Sequence, residues 1–237
     1  MLINIHDKAG SVLGKRTPRA EWLRGGLGSA VGVSAAGAAG LMLSTMTHAS
    51  LPWLLAPVGA SAVLIFAVPA SPLAQPWPVI GGNAVSAAVG LALGHILGVP
   101  LLSAALGLGI AMIVMGLARC LHPPGGACAV LYALGASGPE AWGFPHLLTI
   151  MVNVTALAAA GWIYNNATGH SWPHRPQYVP RGQFTGVHSS EVHRALTSVL
   201  AEWDEIIDAD IQDLDAIFLA VERRIRSREQ DAPTVTD

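Results

Sequence analysis

From residue 25 to residue 118 the chain contains no Asp, Glu, Lys or Arg, and from 119 to 164 only Arg119 and Glu140 are added. Charged residues make up 12% of the chain and hydrophobic ones 52%, whereas an ordinary soluble domain carries about a quarter charged residues. A soluble fold would have to turn part of that stretch to water with almost nothing to solvate it. A lipid environment removes the difficulty, so the sequence predicts an integral membrane protein.

The net charge of -2 says little, because the charges sit at the ends. Lys8, Lys15, Arg16, Arg19 and Arg24 precede the first apolar run, and a mixed tail begins after Trp172. No continuous basic face is visible, which excludes nucleic acid as a partner. Cys120 and Cys128 are too few for a disulfide framework or a four-ligand zinc site and read as small apolar fillers. There is no nucleophile–base pair, no metal-ligand spacing and no phosphate loop, so neither an enzyme nor a cofactor is expected. A signal peptide would be shorter. The polar leader runs to residue 24 and the apolar run behind it reaches 47, so residues 1–47 are expected in the mature protein.

Hydropathy and Pro/Gly punctuation predict an all-α bundle of six membrane segments, at 25–47, 51–70, 78–98, 101–118, 122–134 and 146–165. The second and fifth stand apart. Residues 56–64 align without gaps on 123–131, matching Pro57 to Pro124, Gly59 to Gly126, Ala60 to Ala127 and Ser61 to Cys128. Asn83 and Asn153 follow at nearly equal offsets. In apolar sequence such matches also arise by coincidence. As a genuine duplication they give three segments per copy, and an odd number inverts the second copy, placing a site between the halves near the midplane. The basic residues before 25, with Arg119, Arg175 and Arg181, then share the cytoplasmic side with both termini.

Proline is tolerated in a first helical turn, where its missing N–H is no loss. Pro57 and Pro124 therefore predict helix starts, and the helices they open are too short for a ~30 Å hydrocarbon core. The chain before each must enter the membrane extended, which survives only inside protein or beside a wet cavity. Two helix starts aimed at one interior point would favour an anion without any Lys or Arg. The candidate binding residues are Pro57, Gly59, Ala60, Ser61, Asn83, His122, Pro124, Gly125, Gly126, Ala127, Cys128 and Asn153. The same small residues also suit close helix packing. That is the preferred reading for the four-residue stripes Gly28, Gly32, Ala36, Gly40 and Gly90, Gly94, Gly98, which also suit a homo-oligomer. Asn83 and Asn153 serve either a site or interhelix bonding, and His95 is expected at headgroup level. His122 can titrate near neutral pH and is a candidate for proton coupling, gating or helix positioning.

The run His122-Pro123-Pro124-Gly125-Gly126-Ala127 resembles the signature of the HPP family of integral membrane proteins. Residues 55–61, the Gly82-Asn83 pair and Asn153 resemble it too, and the likeness covers about 22–169. It implies a multi-span membrane protein, often described with four spans, some of whose members in cyanobacteria and chloroplasts are associated with nitrite transport. Many members carry nucleotide-binding CBS domains after the membrane part, and this chain departs from that pattern.

The domain reading is a leader at 1–24, a transmembrane domain at 25–166, a linker at 167–189, an amphipathic helical tail at 190–229 and a disordered end at 230–237. The expected function is a channel or transporter for a small inorganic anion, nitrite or nitrate, in a bacterial plasma membrane. With no intramembrane carboxylate for an ion relay, a channel-like or uniport mechanism is favoured over pumping. The alternative is a membrane sensor or scaffold that recruits a partner through the tail.

Overall fold

The computed structural model describes residues 18–47, 51–175, 189–203 and 209–230. Among them every regular element is helical. The chain divides into two compact units, Met1–His174 and Arg175–Asp237.

The first unit holds α1 (Pro18–Thr47), α2 (Ala56–Ala67), a 3-10 turn (Pro72–Ala74), a π-helical turn (Pro78–Gly82) running into α3 (Asn83–Leu97), then α4 (Pro100–Leu117), α5 (Pro123–Ala136) and α6 (Pro145–Ala167). Four stretches are long and apolar enough to cross a membrane: Arg19–Thr47, Pro78–Leu97, Pro100–Leu117 and Pro145–Ala167. By contrast α2 has 12 residues and α5 has 14, about 18 and 21 Å at 1.5 Å per residue. Among the described residues, six helices of full spanning length are therefore not seen. Four helices reach spanning length and two stop short, and those two open at the expected prolines, with Pro57 and Pro124 both buried.

α1 begins at Pro18 and runs 30 residues, so the leader expected to end at residue 24 is already helical from residue 18. The charges there take those turns out of the apolar layer without ending the helix, since Glu, Arg and Ala are good helix formers. The Arg24 guanidinium folds back on the bundle, donating Nε to Glu21 (2.9 Å), Nη1 to Asn165 Oδ1 (2.9 Å) and Nη2 to the Phe66 carbonyl (2.8 Å). Tyr164 Oη donates to the Arg24 carbonyl. The start of α1 and the ends of α2 and α6 thus meet at one face, where Arg24 sits against the negative end of the α2 dipole.

α5 ends at the other face. Trp142 N–H donates to the Gly135 carbonyl, the Tyr132 hydroxyl to the His146 carbonyl, and Trp142 stacks on His146 at the start of α6. The Trp142 carbonyl also lies 2.7 Å from Nε2 of His95, which is exposed near the end of α3. The two short helices therefore run outward to opposite faces from starts that lie in the interior.

Packing is set by small residues. α3 lies directly against α5, where a Cβ on Gly90 would stand 2.2 Å from the Ala129 carbonyl and one on Gly94 would stand 2.5 Å from the Ala136 Cβ. On α1, Gly28 and Gly32 receive the Phe66 ring, and a Cβ on Gly40 would stand within 1.8 Å of the Trp53 carbonyl. In lipid there is little hydrophobic drive between helices, so such approach supplies the dispersion contacts that hold them. The third glycine of the α3 stripe does something else. Gly98 adopts φ 63° and closes α3 through a bond to the Gly94 carbonyl, a left-handed cap that lets α4 begin after Val99 alone. α1, α2 and α6 pack together as one set, and α3, α4 and α5 as another.

The second unit contains α7 (Ser189–Trp203) and α8 (Ile211–Gln230). The helical tail expected at 190–229 is thus two helices. Asp210 caps the second through its Oδ1 and carbonyl, and His193 of α7 meets Asp215 of α8. The end expected to be disordered lies outside the described residues, apart from Gln230.

Candidate functional site

The starts of α2 and α5 line one open groove of about 650 Å³. Ala56, Pro57 and Ala60 come from α2, Pro123, Gly126 and Ala127 from α5, and Leu108 of α4 joins them. The side chains facing the groove are apolar. Polarity enters from behind it, at a buried knot.

His122 is the residue before α5, in extended conformation and fully buried. Its Nδ1 lies 2.8 Å from the Leu73 carbonyl and its Nε2 lies 2.8 Å from Ser61 Oγ. A carbonyl only accepts, so Nδ1 carries the proton, and the neutral ring offers a bare Nε2 to the Ser61 hydroxyl. Asn83 Nδ2 donates to Ser61 Oγ at 3.2 Å and to the Val79 carbonyl at 2.8 Å, so a carbonyl again fixes which way the amide points. Ser61 has a second acceptor in the Pro57 carbonyl, 3.1 Å away. Cys128 Sγ approaches the Asn83 carbonyl at 3.6 Å. Every residue of the knot is fully buried, and Asn83 Oδ1 has no partner among the described residues.

Gly82 gives the knot its compactness: a Cβ there would stand 2.6 Å from both the Cys120 carbonyl and the His122 Cβ. The π-helical turn that Gly82 closes is a device found often at functional sites, and here it leads directly into Asn83. The glycines of the motif divide by surroundings. Gly125 is enclosed by Ser86, Met115 and the Gly82 carbonyl, whereas Gly126 meets only the Leu108 methyl and Gly59 faces open space.

The candidate residues therefore fall into three places. Pro57, Ala60, Gly126 and Ala127 line the groove, with Gly59 beside them on α2, while Ser61, Asn83, His122 and Cys128 form the knot, with Pro124 and Gly125 packed behind. Asn153 joins neither. Its Oδ1 accepts from the Leu55 N–H (3.2 Å), and its Nδ2 donates to the Ala36 (3.0 Å) and Trp53 (3.1 Å) carbonyls. Its polar atoms are spent on holding the chain that leads into α2.

The helix starts offer fewer free amides than their prolines suggest. Pro123 and Pro124 carry none, and the Gly125 N–H is taken by the His122 carbonyl at 2.8 Å. In α2 the Val58 N–H bonds the Leu55 carbonyl at 3.0 Å. The dipole ends remain, but the groove is shaped more by size than by a fan of donors.

Sequence reasoning missed Leu73 and Val79, which act through backbone carbonyls and leave no trace in residue type. It also missed the Arg24–Asn165 pair. The signal for that pair was an arginine at the edge of the first apolar run and an asparagine at the edge of the last.

Spanning-length apolar helices packed with two half-length helices whose starts share an open groove define a helical integral membrane protein. The chain belongs to the HPP family: the model of the HPP transmembrane region matches residues 14–173. It is 35% identical over 128 residues to one transmembrane protein of Dictyostelium discoideum, covering 51% of this chain and 40% of that protein. A second transmembrane protein of the same organism is 36% identical over 106 residues, covering 40% and 37%. The chain thus spans well under half the length of these relatives. No solved structure matches.

Proposed function

We propose that this protein forms a membrane pathway for a small inorganic anion, with nitrite as the first candidate and nitrate as the second. The observation that carries the reading is the groove shared by the starts of α2 and α5. Two positive dipole ends point into one space that contains no fixed charge, so a monovalent anion is stabilised there without being held too tightly to leave. Gly59, Ala60, Gly126 and Ala127 put only small side chains beside the two helix starts, so a small ion can come close to both.

The architecture we infer is a 3+3 inverted repeat in which each short helix, with the extended chain before it, completes one crossing. The helix pairings support this. α1 packs on α2 as α4 packs on α5, and α1 packs on α6 as α4 packs on α3. A two-fold relation between the copies, with their third helices exchanged, produces that pattern. The basic residues at the Arg24 face argue for a cytoplasmic position of that face in a bacterial plasma membrane.

The test is nitrite uptake into proteoliposomes containing the purified full-length protein. Uptake above empty liposomes, reduced at least tenfold by Gly126→Val in a protein that stays monodisperse, is the expected result. No flux of nitrite, nitrate or chloride above empty liposomes would remove the proposal.

One observation favours a second reading. Ile217, Phe218 and Val221 of α8 are each at least half exposed, an apolar strip suited to a partner protein. Stoichiometric capture of a cytosolic protein, lost on Phe218→Asp, would shift the conclusion towards a sensor or scaffold.

A further inference from the structure

The anion reading leaves the bare ring nitrogen of His122 without a task, and the bonds around it are specific enough to assign one. The Leu73 carbonyl keeps Nδ1 protonated whether the ring is neutral or charged, so any change on protonation is confined to Nε2. In the neutral ring Nε2 accepts the Ser61 O–H. In the charged ring Nε2 becomes a donor, and the Ser61 hydrogen must turn away. The Pro57 carbonyl stands ready 3.1 Å from Ser61 Oγ, while Asn83 goes on donating to the same oxygen. One proton on His122 is thus converted into one redirected hydrogen bond at Pro57, a residue that lines the groove.

We propose that His122 Nε2 is a proton-binding site filled together with the anion, so that one proton and one anion cross as a pair. The proposal rests on the anion reading above. Its physical basis is charge balance. Leu73 of the 3-10 turn and Ser61 of α2 bond the ring, Asn83 of α3 bonds Ser61, and Gly82 of the π turn lies against the His122 Cβ with Met115 of α4 beside it. None of these elements carries Asp, Glu, Lys or Arg. The titratable groups on the packed elements are Cys128, Tyr132 and His95, and each is engaged elsewhere: with Asn83, with the His146 carbonyl and with the Trp142 carbonyl; the segment that carries His122 adds the buried thiol of Cys120 and, beyond it, the cation of Arg119, neither of which offers a carboxylate. An imidazolium here has no side-chain counter-charge, and a buried unpaired charge is strongly disfavoured. A monovalent anion in the groove supplies that charge. Asn83 Oδ1, fully buried and without a partner among the described residues, is a spare acceptor on the amide that holds Ser61.

The experiment uses the full-length protein and potassium nitrite as the probe. In proteoliposomes containing a trapped pH dye, nitrite entry above the empty-liposome leak is expected to carry about one proton per anion. Below saturation its rate should rise by up to about tenfold per pH unit as the outer pH falls, the limit for one linked proton. In nanodiscs, nitrogen NMR of labelled histidine should show a bare Nε2 without anion and a protonated one at saturating nitrite, in the signal that His122→Gln deletes. Where that variant does not fold, Ser61→Ala carries the test: it leaves Nε2 in place but removes the hydroxyl that relays its protonation to Pro57, so the pH dependence should weaken while the protonated Nε2 signal persists at saturating nitrite. Nitrite flux with no proton uptake and an Nε2 signal unmoved by nitrite overturns the proton site and leaves the anion pathway standing. Absence of any anion flux overturns the pathway itself.

Discussion

Asn153 and Asn165 of α6 hold the two ends of α2. The first accepts from the Leu55 N–H and donates to the Trp53 carbonyl before the helix starts. The second donates to the Ile65 carbonyl in its last turn and accepts from Arg24. α2 is too short to reach both faces, and Leu55 before it and Ile65 in its last turn are both buried, so their backbone groups need partners from the protein. The asparagines meet that need from one neighbouring helix.

Replacing Asn153 by Leu should therefore be costly. It strands the Leu55 N–H and removes a partner from two carbonyls, and each buried polar group left unsatisfied costs about 1–3 kcal/mol. Thermal unfolding of the detergent-solubilised variant should show a clear fall in midpoint, together with loss of nitrite flux. A midpoint equal to that of the parent protein would contradict the clamp.

Arg24→Lys should not be a conservative change. The planar guanidinium serves Glu21, Asn165 and Phe66 in three directions, whereas an ammonium is a compact point charge. A loss of about 1–2 kcal/mol is expected, since bonds to charged groups contribute about 1.5–3 kcal/mol each and lysine keeps some of them. Unfolding in detergent against Arg24→Met measures it. Lysine matching arginine would show that only charge matters at the end of α2.

The two glycines Gly90 and Gly126 predict opposite outcomes for the same small change. Gly90→Ala drives a methyl into the Ala129 carbonyl, forcing α3 from α5 at a cost of about 1–3 kcal/mol. Gly126→Ala meets only a movable Leu108 methyl, so stability should hold while the groove narrows and flux falls. The unfolding midpoint and the proteoliposome rate, measured on both variants, separate the packing role from the pathway role.

Arg119 closes α4 in the left-handed region at φ 52°, with the Cys120 N–H reaching back to the Met115 carbonyl. Glycine suits that position better than a residue with a Cβ. Arg119→Gly should raise stability by about 0.5–1 kcal/mol, read as a higher unfolding midpoint. A lower midpoint would mean the guanidinium contributes more than its backbone conformation costs.

Much of this was legible in the residues because its causes are local. Proline lacks an N–H wherever it stands, so Pro57 and Pro124 marked helix starts before any coordinates did. The uncharged stretch marked the membrane part for an equally direct reason. The misses have tertiary causes. Gly98 repeats the four-residue stripe of Gly90 and Gly94, yet it terminates the helix, because its place after Leu97 outranks its spacing. Asn83 and Asn153 occupy matching offsets but bond to unlike partners, since only Asn83 follows a π turn. The Leu73 carbonyl beside His122 could not be foreseen, because any residue would supply it.

The double clamp on α2 has a mechanical consequence. A helix bound at both ends to the same neighbour cannot swing alone, so α2 and α6 must rock as a single lever. Relative displacement is then left to the seam between that lever and the set formed by α3, α4 and α5, where Ser61 meets His122. Spin labels placed on α2 and α6 should keep a constant separation whatever the occupancy of the groove, while labels spanning α2 and α5 should register any opening of that seam.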